Sequence, residues 1–112
     1  MSLLLCNLPG YGLTREMTSR TEALAAEVEN QLAAFADADV IHTLFKTGKF
    51  RVVAHRDSFP VAVKRIAGTN AVRFAAVWEQ KTDTVWIDAA LRHNPGFKAD
   101  VIATAALSLI HI

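Results

Sequence analysis

The sequence predicts an α+β domain with a long N-terminal helix, a small mixed sheet holding an antiparallel hairpin, and a C-terminal helix. Three observations predict it. An apolar stripe at helical spacing runs through Thr14–Ala36. Two β-rich runs, Val72–Glu79 and Thr84–Asp88, flank the polar turn Gln80–Asp83, and so short a connection makes the runs antiparallel. Asn94 and Pro95 then open an apolar helix that extends to Ala106. Helices and strands are interspersed around an antiparallel pair, which assigns the chain to α+β.

Residues 1–13 hold Pro9, Gly10 and Gly12 without periodicity and are expected to form a lead-in loop. In the first helix Leu24, Val28, Leu32 and Phe35 form one face, and Ser19 with Glu22 fits a capping box. Asp39 is positioned to cap a short helix over Val40–Lys46, which Gly48 stops. Phe50–His55 is rich in β-formers and reads as a strand. Asp57 or Ser58 caps a helix with Pro60 near its start, and Gly68 closes it. In the hairpin, Val85 and Ile87 share one face of the second strand, and Thr84, Trp86 and Asp88 share the other. Phe97, Val101, Ile102 and Ala105 line one side of the last helix.

The chain of 112 residues is one domain's length, and 52% apolar content supports a packed core without staples. A net charge of +1 excludes a strong general attraction for nucleic acid or anionic membrane. The charge is uneven: residues 1–45 have a net of −4 and residues 46–112 a net of +5. An acidic helix lying across a basic sheet accounts for this. The single cysteine, Cys6, rules out an intrachain disulfide. MSLLLCNLPG has no basic leading region, and Leu3–Leu5 is too short an apolar run for a secretory signal. No stretch is apolar over a membrane's thickness.

Motifs with chemistry are sparse. Phosphate-cradling glycine loops and a nucleophile elbow are missing from the sequence. His42, His55, His93 and His111 show no helical pairing of the kind a zinc site uses, so neither catalytic nor metal-binding residues are assigned. His55 and Asp57 flank Arg56 and could form an acid/base pair, although a strand end followed by a helix cap explains them as well. Lys46, Lys49, Arg51, Arg56, Lys64 and Arg65, interleaved with Phe45, Phe50 and Phe59, have the composition of a single-strand-binding surface. The phenylalanines are more economically core. The final LSLIHI, residues 107–112, resembles the in-frame translation of a transposon end used to prepare sequencing libraries. That resemblance makes the tail non-native and the preceding domain incomplete.

Residues 50–106, from FRVVAH through WEQKTDTVWID to NPGFKADVIA, resemble the run-up to the active helix of a zincin-like metallopeptidase domain. Such domains occur in large polyvalent proteins of phages and mobile elements. Phe59–Pro60 stands for the helix start, and Trp78, Thr82, Thr84, Val85 and Ile87 for the hairpin. Pro95, Ala99, Val101, Ile102 and Ala103 stand for the first turns of the active helix. In the family that helix carries His-Glu-x-x-His, which binds zinc and activates a water. The motif is absent here, so the resemblance implies an inactive fragment with no cofactor of its own. Zinc is implied for a full-length parent only.

The resemblance further implies a strand bordering the cleft along which an extended peptide pairs. Thr84, Trp86 and Asp88 mark the expected substrate-edge strand. The expected partner is a peptide or protein, with nucleic acid and membrane not expected. The expected location is the cytoplasm of a bacterial host or a virion. Alternative readings are a non-enzymatic phage or mobile-element accessory domain that binds protein through its hairpin, and a weak nucleic-acid-binding domain.

Overall fold

Apolar periodicity and local caps build most of the elements. The computed structural model describes residues 9–67 and 75–110, with side chains described over 19–66 and 75–108. Helix α1 spans Pro9–Phe35. It therefore begins within the expected lead-in loop, because Pro9 occupies a first helical position, where its missing N–H costs no bond. The Ser19/Glu22 pair lies inside the helix and is not its cap. Helix α2 spans Ala38–Lys46, with Asp37 and not Asp39 as N-cap, its carboxylate accepting from the Val40 amide at 3.2 Å. Asp39 sits in the first turn, where its charge suits the positive end of the helix dipole. Gly48 then turns the chain at φ +80°, a conformation that glycine adopts without strain.

Strand β1 covers Phe50–Val53, shorter than expected. A 3-10 turn at Arg56–Ser58 replaces the predicted helix start, and His55 caps it by accepting from the Asp57 amide at 3.1 Å. Helix α3 follows at Val61–Ala67, immediately after Pro60. Strand β3 is Thr84–Asp88, as expected, and strand β2 is Ala76–Glu79, with Ala75 a bend before it and not part of the expected run's strand. The part of the first hairpin run at 72–74, and Gly68, lie outside the described residues. A second 3-10 turn, Ala89–Leu91, is capped by Asp88. Helix α4 runs Phe97–Ile110. It starts later than predicted because Asn94–Phe97 closes as a turn, the Phe97 amide bonding the Asn94 carbonyl at 3.1 Å. Leu107–Ile110 continue this helix, and His111 lies outside the described residues.

The sheet order is β1-β3-β2. Strand β3 is parallel to β1, with Phe50 opposite Val85 and Val52 opposite Ile87. It is antiparallel to β2, with Ala76 opposite Ile87 and Trp78 opposite Val85. The fold is thus α+β, with four α-helices and a three-stranded mixed sheet among the described residues.

Two apolar clusters flank the sheet. The larger one joins Phe50, Val52, Ala76, Val85 and Ile87 to Val28 and Leu32 of α1, Ile41 of α2, and Phe97 and Val101 of α4. Each large apolar side chain so removed from water contributes roughly 1.5–3 kcal/mol. The smaller cluster packs Phe59 and Val63 against Val77, with Val53 and Trp86 beside them. Charged pairs tie the layers together. Arg92 Nε donates to Glu27 at 2.8 Å, and Arg56 Nε donates to the buried Asp88 at 3.0 Å. No helix among the described residues is long and apolar enough to cross a membrane.

Candidate functional site

The strand expected to border a cleft is the central strand of the sheet. Its backbone alternates between neighbours. The Val85 amide bonds Lys49 on the β1 side at 2.8 Å, and the Asp88 amide bonds Ala75 on the β2 side at 2.8 Å. No main-chain edge remains on β3 for a peptide to pair with. The three marked side chains are also engaged internally. Thr84 is buried and donates its hydroxyl to the Thr82 carbonyl at 3.1 Å. Trp86 packs on the α3 cluster and donates its indole N–H to Glu79 at 3.2 Å. Asp88 is 1% exposed, and its carboxylate accepts from Arg56 and from the Ala90 amide. The assignment of Thr84, Trp86 and Asp88 to a substrate edge is therefore corrected: they hold the middle of the sheet.

The hairpin has its border at β2. That strand has one strand neighbour among the described residues, β3. A groove of about 580 Å³ runs along its outer side. Its floor is Ala76 and Val77, one wall is Ile66 of α3, and the other is Ala103, Thr104 and Leu107 of α4. Ile66 is 54% exposed and Leu107 53%, so both walls present apolar surface to solvent. The hydrogen-bonding pattern of an antiparallel pair alternates, and the Asp88–Ala75 bond fixes its phase. The main-chain groups of Ala76 consequently point away from β3 and toward the groove. Asp100 and Gln80 supply polar groups at its rim.

The tip of the hairpin is held rigidly. Asp83 sits at φ 50°, a left-handed conformation that Asp tolerates better than most residues. Its carboxylate accepts from Lys49 Nζ at 2.7 Å and from Trp78 Nε1 at 2.9 Å. The Lys49 bond first, and the Trp78 bond second, hold its pKa below the usual value of 3.8.

The remaining candidates are dispersed. His42 Nδ1 lies 2.6 Å from Glu29, joining α2 to α1. His55 and Asp57 are adjacent, 3.3 Å apart, but both are exposed and serve the local turn. His93 is exposed on the loop before α4. Among the described residues no three His, Cys, Asp or Glu side chains approach closely enough to hold a metal ion. The described residues thus do not fit a zinc site. The basic residues divide as well: Lys49 is paired with Asp83, Arg56 with Asp88, Lys64 and Arg65 lie on α3, Lys46 ends α2 and Arg51 lies in β1. Phe50 and Phe59 are buried and offer no face for base stacking.

The β2 groove escapes sequence reading because its walls come from residues 66, 76–80 and 100–107, three separate segments. The one local sign is the exposed apolar pair, Ile66 and Leu107, off the core face of each helix. Set against known proteins, the chain matches no family model, no curated protein and no solved structure.

Proposed function

We propose that the chain is the scaffold portion of a zincin-like metallopeptidase domain of the phage and mobile-element type, inactive as it stands. An extended peptide lies along β2, and the zinc ligands belong to residues that follow Ala106 on this helix in a longer protein. The observation that carries this reading is the groove bounded by β2 and α4. It joins an edge strand to the helix that follows the hairpin, on the first hairpin strand where the resemblance implied the second. The peptide substrate adds as a fourth strand, its main chain meeting that of Ala76 and its alternate side chains meeting the α3 and α4 walls. No hydrolytic step follows from the described residues, since they hold no ligand set for zinc. This reading locates the protein in the bacterial host cell or on the phage particle.

The test is to recover the longer reading frame and assay its product. The expected result is His-Glu-x-x-His or a comparable ligand set within two helical turns of Ala106. Zinc-dependent peptide hydrolysis should accompany it, and Ala103→Trp, which fills the groove, should abolish that activity. If the residues that follow supply no metal ligands, the peptidase reading fails. Peptide binding that persists in that protein, and that Ala103→Trp removes, establishes instead a non-enzymatic accessory domain using the same edge.

A further inference from the structure

The opposite border of the sheet has a different chemistry. A concave surface of about 630 Å³ follows the outer side of β1. It is lined by Phe45 and Lys46 of α2, by Phe50 and Arg51 of β1, and by the His42–Glu29 pair. Lys46 and Arg51 are both exposed, and neither forms a salt bridge among the described residues. Three other cations beside the sheet each have a carboxylate: Lys49 has Asp83, Arg56 has Asp88 and Arg92 has Glu27. The surface therefore has two cations without a salt-bridge partner among the described residues, against one acid, Glu29, which is hydrogen-bonded to His42.

The main chain adds directional groups. The Val85–Lys49 bond sets the phase of the parallel pair, so Arg51 turns its main-chain groups toward β3. Phe50 and Val52 turn theirs outward, into the concave surface. Two N–H donors and two carbonyl acceptors thus alternate along it, with a cation on each side of the strand.

We infer that β1 is a second docking edge, which takes an extended acidic segment of a partner protein by strand addition. The partner's main chain satisfies Phe50 and Val52, and its Asp or Glu side chains meet Arg51 across the added strand and Lys46 at its end. A peptide suits this edge better than a nucleic acid, because alternating donors and acceptors match a peptide backbone while phosphates only accept. Phe50 is buried and meets Phe45 edge to face at 5.3 Å, so its own ring offers no face for a base to stack on. The edge is separate from the β2 groove, so the inference does not depend on the peptidase reading.

Three labelled peptides of equal length test it by fluorescence anisotropy on the intact chain. One alternates Glu with Val, one alternates Lys with Val, and one is the acidic peptide with a central Pro. An oligothymidylate is the fourth probe. The acidic peptide should bind and should weaken as salt rises. Lys46→Glu and Arg51→Glu should each weaken it roughly threefold, and about tenfold together. The double variant should bind the Lys peptide instead, which shows that it remains folded. The Pro peptide should bind poorly, because Pro removes a main-chain donor. Backbone NMR shifts at Phe50 and Val52 should accompany binding, and Ala103→Trp in the β2 groove should leave it unchanged. Equal binding of the Pro peptide, tighter binding of oligothymidylate, or no binding of the acidic peptide each overturns the inference.

Discussion

Asp83 concentrates three local demands in one residue. It must accept a left-handed backbone, receive the Lys49 ammonium and receive the Trp78 indole N–H. Because its pKa in the folded protein is lowered below 3.8, folding favours the ionised carboxylate. The stability it contributes is present above the unfolded value and is lost as pH falls through the folded value. Asp83→Asn should therefore reduce the loss of stability on acidification below about pH 4, measured by urea denaturation across a pH series. Asp83→Gly should relieve the backbone while losing both side-chain bonds, and so should lower the melting temperature at neutral pH. Sequence reading identified Gln80–Asp83 as a turn, but not the reach of its last residue back to Lys49. That partner stands 34 positions earlier, beyond any local pattern.

At the level of elements, periodicity was a good guide and termini were not. The stripe predicted for α1 is real at Val28 and Leu32, both fully buried, but it stops short of Phe35, which is 52% exposed at the helix end. There Lys98 Nζ lies 5.6 Å from the ring centroid, an exposed contact of the weak cation–π kind. Leu32→Ala should cost about 2–5 kcal/mol and Phe35→Ala no more than about 1 kcal/mol. Equal losses in chemical denaturation would contradict this division of the stripe. The choice of Asp37 over Asp39 as cap has a physical cause. Both residues are competent to cap, and packing of the finished helix selects between them.

The order of the strands lay beyond sequence reading, and it decides the site. Pairing of Phe50–Val53 with Val85–Asp88 is parallel and distant in sequence, so no turn announces it. The near-continuous burial of Thr84–Asp88 is its signature, since a strand covered on both faces loses clean alternation. The local hairpin was readable from its turn; the long-range closure that makes β3 central was not. The candidate site moved to β2 for that reason alone.

That central strand also offers a readout of the order in which the molecule opens. Along β3, successive amides belong to different partners: Val85 and Ile87 bond toward β1, whereas Trp86 and Asp88 bond toward β2. The β2 contact closes a short local loop and the β1 contact a long one, which differ in entropic cost. If β1 detaches while the hairpin survives, exchange with deuterium must alternate residue by residue. Val85 and Ile87 should lose protection at lower denaturant than Trp86 and Asp88. A single midpoint for all four amides would mean that hairpin and parallel pair melt as one unit. Four neighbouring amide signals thus form an internal clock for long-range and short-range assembly in a sheet of three strands.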